Sequence, residues 1–150
     1  VDVVDLYPES KDSMIKLIQA IRSAYPDIKI VQNRGFTVID KTAPCVDAVM
    51  FESFSSSYSF RDKSYDKADL ESLEWTDAVA EKINTIRKEH PFIVLALDYA
   101  SPDRVDLIKY FQKRSSKYNF LSYVTTISLN EVSYNKNKNL RMRDNGNGKH

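Results

Sequence analysis

Five apolar segments rich in β-branched and aromatic residues alternate along this chain with three segments of helical periodicity. Such alternation is typical of βα units built around a parallel sheet. The spacing of the segments fits either a doubly wound sheet or part of a barrel. The sequence therefore predicts an α/β fold in which parallel β-strands alternate with helices. The predicted strands span residues 1–7, 28–33, 46–52, 91–98 and 120–126.

The three helical segments are recognised by apolar stripes and by their start signals. The first carries one helix face of apolar side chains, namely Met14, Leu17, Ile18, Ile21 and Tyr25. The second is predicted over 76–89, with Thr76 as its N-cap. The third is predicted to begin at Ser101-Pro102-Asp103, because a cap residue, a proline and an acid in this order favour a helix start.

The composition argues against several classes of function. The chain has 150 residues, 42% of them hydrophobic, and a net charge of +1, which suits one compact core and offers no electrostatic attraction for nucleic acid. No apolar run approaches the roughly 20 residues that a membrane span needs. Two of the three glycines lie near the C-terminus, so no glycine-rich phosphate loop follows the first strand. The sequence therefore predicts no nucleotide cofactor.

Metal and thiol chemistry also find little support. The single cysteine, Cys45, excludes an internal disulfide and precedes a predicted strand, where we expect it to pack. The histidines, His90 and His150, lie away from the acidic residues and predict no metal site. No Gly-x-Ser-x-Gly motif or well-placed Cys/His pair predicts a nucleophilic triad. We therefore expect a protein that uses neither a cofactor nor a metal ion.

Polar side chains collect at one end of each predicted strand, where catalytic groups of parallel α/β folds are found. In chain order they are Asp2, Asp5 and Tyr7, then Gln32 and Asn33, then Glu52 and Ser53, then Asp98 and Tyr99, and finally Tyr123. Alternation places Glu52 on one face with Ala48, and Asp98 on one face with Ala96. Small residues followed by an acid on the same strand face are typical of the inside of a barrel, where the acid lies at the open end of the barrel. The alternative is structural: such an acid caps the next helix or bonds a loop.

A long polar stretch, 53–72, follows the third strand and therefore lies on the side where an active site forms. Aromatic residues punctuate this stretch and the helix after it, namely Phe54, Tyr58, Phe60, Tyr65 and Trp75. They are either loop anchors over the sheet or rings that stack on sugars. Both interpretations stay open at this point.

Four motifs in order resemble strands of glycoside hydrolase family 114, the group that contains the endo-α-1,4-polygalactosaminidases. They are VDVVDLY at 1–7, IVQN at 30–33, VDAVMFES at 46–53 and VLALDY at 94–99. The family's Asp-Gly before the glutamate strand is Asp47-Ala48 here. The resemblance covers residues 1–132 and implies strands four to eight of a (β/α)₈ TIM barrel, followed by a polar tail at 133–150.

The resemblance implies that Asp2 and Glu52 form the catalytic pair. In glycoside hydrolysis one carboxyl group protonates the leaving oxygen while the other, ionised, attacks or stabilises the cationic sugar; which residue does which stays open. The predicted sugar-binding residues are Asp5, Tyr7, Gln32, Asn33, Tyr58, Asp98, Tyr99 and Tyr123.

The resemblance also implies a substrate and a partner. The substrate is a polysaccharide, rich in amino sugars, and such chemistry suggests an extracellular or periplasmic location. The first three strands of the family barrel have no counterpart here, so we expect the missing N-terminal half or a homo-oligomer partner to cover the sheet edges. Two alternatives stay open: a non-catalytic carbohydrate-binding barrel domain, and a metal-dependent lyase or aldolase with acidic ligands.

Overall fold

Four parallel strands form the central sheet of the protein. The structure, a computed structural model, describes residues 3–129. In chain order the strands are β1 (Val31–Asn33), β2 (Ala48–Glu52), β3 (Ser56–Ser59), β4 (Ser64–Lys67), β5 (Ile93–Tyr99) and β6 (Leu121–Thr125). The order in the sheet is β1-β2-β5-β6, and every neighbouring pair is parallel. The other two strands, β3 and β4, form a separate antiparallel hairpin.

Helices connect the parallel strands. In chain order they are α1 (Val3–Leu6), α2 (Lys11–Ala24), α3 (Ile39–Thr42), α4 (Leu70–Ile86) and α5 (Val105–Lys117), with short 3₁₀ helices at Pro8–Ser10 and Ala43–Cys45. Each parallel strand is added beside the previous one, and the order never reverses. Because βαβ crossovers are right-handed, a sheet built in one direction receives its helices on one face, as a barrel does and a doubly wound sheet does not. The predicted α/β alternation is confirmed.

The covered face of the sheet packs against these helices. It presents Val49 and Phe51 from β2 and Val94 and Ala96 from β5, all at most 1% exposed. The helices contribute buried side chains to the same cluster, namely Ile18, Ile39, Ala80 and Ile83. Full burial of a large apolar side chain contributes about 1.5–3 kcal/mol, so this cluster is the main source of stability.

The open face is the opposite side of the same sheet. It carries Val31, Ile93 and Leu121, which are 52%, 51% and 58% exposed, together with Tyr123. The register aligns Ala48 with Val31 and Ile93, and Leu95 with Leu121, so these side chains lie on one face. These three exposed residues each begin a strand, whereas Ala48 and Leu97 of the same face are 7% and 8% exposed. The apolar surface left without cover from residues 3–129 therefore lies at the starts of the strands.

The polar stretch after β2 forms the β3–β4 hairpin. Its base is closed by the Ala68 amide, which donates to the Ser55 carbonyl at 2.9 Å. The rings of Tyr58 and Tyr65 pair across the two strands with centroids 4.8 Å apart. Tyr65 also packs against a second buried cluster around α5, formed by Ala100, Leu107, Phe111 and Val124. The hairpin is thus a folded element and not an irregular loop.

The prediction of a first strand is wrong for residues 3–7, which the structure describes. Val3–Leu6 forms a single helical turn, in which Val4 is fully buried and Leu6 is 77% exposed. Among residues 3–129, no strand pairs with the outer edge of β1, so the alternating valines have no ladder partner to hold them extended. Residues 1–2 and the predicted tail at 133–150 lie outside the described residues.

Two helix starts also differ from the prediction. Helix α4 begins six residues earlier, at Leu70, because the Asp69 carboxylate caps it by accepting from the Ser72 amide at 2.7 Å. Thr76, the predicted cap, lies buried inside the helix. Helix α5 begins at Val105, whereas the Ser101 hydroxyl donates to Asp103 in the turn before it.

Candidate active site

Glu52 ends β2 on the open face, at the carboxyl end of the sheet. The Asn33 side-chain amide donates to Oε2 at 3.0 Å, and the Tyr99 hydroxyl donates to Oε1 at 2.5 Å. These donors come from β1 and β5, which flank β2. The carboxyl plane is therefore fixed by one donor on each oxygen. Within residues 3–129 Glu52 forms no salt bridge, so neutral groups alone hold its carboxyl group in place.

Tyr99 is built to donate to this carboxyl group. It is the last residue of β5 and only 3% exposed. Burial raises the pKa of its hydroxyl, and the hydrogen bond to Glu52 and the charge of Glu52 raise it further. The hydroxyl therefore keeps its proton at any physiological pH. Three predicted site residues, Asn33, Glu52 and Tyr99, are brought together in this way.

The residues that follow Asn33 and Glu52 leave the open face. Arg34 and Ser53 both have left-handed backbones, with φ of 52° and 54°. This conformation costs a non-glycine residue about 1 kcal/mol, and such strain concentrates at binding sites. Both side chains line a pocket of about 430 Å³ at the start of α4. We call it the Arg34–Trp75 pocket; its walls include Arg34, Ser53, Ser57, Asp69, Ser72 and Trp75.

Asp98 does not stand beside Glu52. The register pairs Glu52 with Leu97, so residue 98 points to the covered face, and Asp98 is fully buried. Its Oδ1 accepts from the amides of Ser55 and Ser56 at 2.6 and 2.8 Å. Burial raises its pKa, although these hydrogen bonds oppose the shift. The prediction that Asp98 lies at the mouth of a barrel is wrong. Asp98 instead holds the base of the β3–β4 hairpin against the sheet.

Gln32 is likewise turned away from the open face. It is 1% exposed, and its amide donates to the carbonyls of Arg34 at 2.9 Å and Gly35 at 3.2 Å. Its oxygen accepts from the Thr42 hydroxyl at 2.7 Å. Alternation along β1 puts Gln32 and Asn33 on opposite faces. Gln32 therefore shapes the loop that carries Arg34, and the structure does not bring it to Glu52.

The N-terminal candidates are dispersed. Asp2, predicted as half of the catalytic pair, lies outside the described residues. Asp5 is exposed and accepts from the Thr37 hydroxyl at 2.9 Å, which ties α1 to the loop after β1. Tyr7 is 55% exposed and follows α1 directly. The direct partner of Asp5 is thus a loop hydroxyl and not Glu52.

The aromatic candidates divide between core and surface. Phe54 is fully buried, 4.9 Å from the Phe51 ring, so it is a core residue and cannot stack on a sugar. Tyr58 lies in β3, between the rings of Phe60 and Tyr65. Tyr123 lies on the open face of β6, 38% exposed. Sugar binding by Tyr58 and Tyr123 stays a prediction.

Arg114 organises this region and was missed by reasoning from sequence. It is 9% exposed and donates to the Phe54 carbonyl, to the Thr76 hydroxyl at 2.7 Å and to Asp77 at 2.5 Å. Its guanidinium also lies 4.3 Å from the Phe54 ring centroid. It thereby joins α5, α4 and the loop after β2. The only available signal was its place on the inner stripe of α5, three residues after Phe111.

Residues 3–129 contain no group of three or more His, Cys, Asp or Glu side chains placed to hold a metal ion. None of their helices combines the length and the apolar character needed to cross a bilayer.

The fold is similar to that of known structures. No protein-family model and no curated protein sequence matches the chain. Two solved structures of similar fold are the glycoside hydrolase domain of PelA from Pseudomonas aeruginosa, with a TM-score of 0.69, and a variant of that domain, with a TM-score of 0.68. Both are 18% identical to this chain and cover 83% of it. The chain spans 48% of each, about half their length. At this identity the likeness confirms the predicted fold, whereas membership of family 114 stays a prediction.

Proposed function

We propose that this chain forms part of a glycoside hydrolase in which Glu52 supplies one of the two reacting carboxyl groups. The observation that carries the proposal is the Glu52 carboxyl group held between Asn33 and Tyr99 at the ends of three parallel strands. Barrel enzymes build their active sites at these strand ends. The similarity in fold to the PelA domain supports the same class of reaction, with a polysaccharide as the substrate.

The reaction requires two carboxyl groups on opposite sides of the glycosidic oxygen. One gives a proton to the departing sugar, and the other attacks the anomeric carbon or activates a water molecule. In this proposal Asp2 supplies the second group, as the family resemblance implies. The substrate follows from the same resemblance and is a polysaccharide rich in amino sugars. No cofactor takes part.

Asn33 and Tyr99 act as positioning residues for Glu52. Each donates one hydrogen bond to a different carboxyl oxygen. A carboxyl group that is held on both oxygens presents a fixed direction to the sugar, and misplacement of a reacting group by even 1 Å costs about a hundredfold in rate. The non-catalytic alternative, in which Glu52 is locked in a salt bridge, finds no support within residues 3–129.

The decisive experiment measures release of reducing ends from α-1,4-galactosaminan by the natural full-length protein. Glu52→Gln keeps the size of the side chain and removes its acid–base function, so we expect turnover to fall by about a thousandfold. Glu74→Gln is the matched control, because Glu74 is exposed on α4, and it should retain wild-type activity. Wild-type turnover in Glu52→Gln would sink the proposal.

A second variant tests the positioning role. Tyr99→Phe removes the hydroxyl donor, so we expect kcat to fall about tenfold with little change in KM and with an altered pH dependence of kcat. Tyr118→Phe removes a hydroxyl that accepts from Lys117, far along the chain from Glu52, and serves as the control. An unaltered pH profile in Tyr99→Phe would show that the hydroxyl has a structural role only.

We also propose that further βα units cover the open face in the working enzyme. The exposed side chains of Val31, Ile93 and Leu121 support this, since an apolar surface of this kind marks an interface. Within residues 3–129, β1 and β6 each have one unpaired edge, which can accept further strands. The units belong either to the remaining half of a barrel or to a second copy of the chain.

Light scattering separates these two sources. A full-length natural protein that is monomeric indicates the remaining half of a barrel, and a dimer indicates a second copy. The 150-residue chain on its own should bind an apolar dye such as anilinonaphthalene sulfonate through the open face. A monomeric 150-residue chain that binds no dye would contradict the proposal.

A further inference from the structure

The Arg34–Trp75 pocket combines a cation, an aromatic ring and hydroxyl groups in one concavity. Its volume of about 430 Å³ is within the range of about 300–1,000 Å³ that is typical of small-ligand sites. Two residues of its wall directly follow residues of the candidate active site in the sequence, because Arg34 follows Asn33 and Ser53 follows Glu52. The pocket therefore lies next to the candidate active site but is lined by different residues.

The charge of Arg34 has no partner in the part of the chain that the structure describes. Four other arginines, namely Arg22, Arg61, Arg104 and Arg114, each form a salt bridge. The Nε of Arg34 is buried and makes no hydrogen bond within residues 3–129. Its guanidinium carbon lies 5.9 Å from the Trp75 ring centroid. Such a side chain keeps its in-plane N–H groups free for a planar anion.

Trp75 supplies a rigid wall. Its ring meets Phe36 and Phe51 edge-on, at centroid distances of 6.1 and 6.3 Å, which fix its orientation. The side chain is nevertheless 47% exposed. A fixed aromatic ring with one exposed side can pack on the apolar face of a sugar ring.

The hydroxyl groups and the one acid of the pocket complete its chemistry. Within residues 3–129, the hydroxyls of Ser53 and Ser57 have no hydrogen-bond partner. Asp69 is already engaged, since its carboxylate accepts from the Ser72 amide at 2.7 Å and caps α4. The positive end of the helix dipole stabilises the charge of Asp69. Of the two charged side chains of the pocket, Arg34 is therefore the one that has no hydrogen-bond or salt-bridge partner within residues 3–129.

We propose that the Arg34–Trp75 pocket binds a sugar unit that carries a carboxylate, such as a uronic acid. Arg34 holds the carboxylate, because the guanidinium fork matches its geometry. Trp75 packs on the sugar ring, and the serine hydroxyls bond its hydroxyl groups. The inference deepens the proposed function and rests on it only for the polymer to which this unit belongs.

The experiment uses the fluorescence of Trp75, the only tryptophan among these 150 residues, with any tryptophan elsewhere in the natural protein replaced by phenylalanine. The full-length natural protein carrying Glu52→Gln is titrated with galacturonic acid trimer, galactose trimer and sodium acetate. The substitution prevents hydrolysis and lies outside the walls of the pocket. We expect the acidic trimer to change the emission saturably, the neutral trimer to bind at least about tenfold more weakly, and acetate to cause no saturable change. Equal responses to both trimers, or to none of the probes, would overturn the proposal.

Two substitutions locate the effect. Arg34→Met removes the charge and keeps an unbranched apolar stem, so it should weaken binding of the acidic trimer at least about tenfold. Arg61→Met is the matched control, because Arg61 is exposed in the hairpin and pairs with its neighbour Asp62. Wild-type affinity in Arg34→Met would overturn the proposal.

A measurement without an Arg34 variant guards against a failure to fold. In nitrogen-15 spectra, the acidic trimer should shift the Arg34 Nε–H and the Trp75 indole N–H first. Shifts confined to the lysines of α5 would place binding elsewhere and overturn the proposal. Binding is measured without turnover, so a protein that hydrolyses no polysaccharide can still pass this test, and an active enzyme can still fail it.

Discussion

The two faces of one sheet behave as different parts of the molecule. The covered face holds Val49 and Phe51 at 0% exposure, whereas the open face leaves Val31 and Leu121 more than half exposed. Both faces are apolar along most of their length. The difference arises because successive right-handed crossovers place all helices on one side. Stability therefore resides on the covered face, and the chemistry that we propose resides at the end of the open one.

The two strand-end acids divide in the same way. Glu52 lies on the open face and meets two side-chain donors from neighbouring strands. Asp98 lies on the covered face and meets two backbone amides of one loop. A carboxylate that accepts hydrogen bonds from backbone amides stabilises the fold. A carboxylate that is held by side chains at a strand end can bind or react with a ligand.

The largest effect is expected in the centre of the covered face. Phe51→Ala should lower the free energy of unfolding by about 3–5 kcal/mol, because it removes a buried ring and leaves a cavity. Phe60→Ala makes the same change at a side chain that is 79% exposed, and should cost less than about 0.5 kcal/mol. Urea denaturation measures both. Similar losses in the two variants would contradict the assignment of the core.

The next effect concerns the acid of the covered face. Asp98→Ala removes the acceptor of two buried amides and should cost about 2–4 kcal/mol. Asp66→Ala is the control, since Asp66 is exposed on the hairpin. Hydrogen exchange should also speed up at Ser55 and Ser56 in the Asp98 variant only. Unchanged protection of these amides would show that Asp98 does not hold the hairpin.

A smaller effect compares the two faces with one substitution. Val49→Ala should cost about 2 kcal/mol, because the side chain is fully buried, and Val31→Ala should cost less than about 0.5 kcal/mol. Both are read from urea denaturation of the 150-residue chain. Where further βα units cover the open face, as we propose for the working enzyme, the Val31→Ala cost should approach that of Val49→Ala. Failure to rise there would count against a covered open face.

The smallest effect is the change in the free energy of unfolding with pH that two acidic residues, Asp47 and Asp98, cause in opposite directions. The pKa of Asp47 is held well below its ordinary 3.8 by hydrogen bonds from Ile30, Lys29 and Arg22. Ionised Asp47 therefore stabilises the folded protein at pH values above 3.8, and this stabilisation is lost as the pH falls through the lower pKa of the folded state. The pKa of Asp98 is raised by burial, so its contribution is present below 3.8 and is lost as the pH rises.

Unfolding measured between about pH 3 and 8 separates the two acids. The stability difference between wild type and Asp47→Asn should shrink as the solution becomes more acidic. The difference between wild type and Asp98→Asn should shrink as it becomes more alkaline. Each variant is the control for the other, and slopes of the same sign would refute one of the two assignments.

Much of the fold was predictable where a segment is strongly periodic. The strand prediction at 46–52 contains the observed β2 (Ala48–Glu52), and the apolar stripe led by Met14 lies in α2. Prediction failed at residues 3–6, which are helical, because a short alternating segment becomes a strand only beside a partner. It also missed the hairpin, since a serine-rich stretch carries no apolar alternation that would mark it.

The sequence by itself determined the α/β alternation, the placement of polar groups at strand ends and the candidacy of Glu52. Only the tertiary structure decided which acid faces which side. Alternation gives two faces to each strand, but the register between strands is set by packing, and it pairs Glu52 with Leu97 and not with Asp98. The same packing brought Asn33 and Tyr99 to Glu52 and turned Arg34 towards Trp75. These meetings depend on residues far apart in the chain, so no local pattern could have specified them.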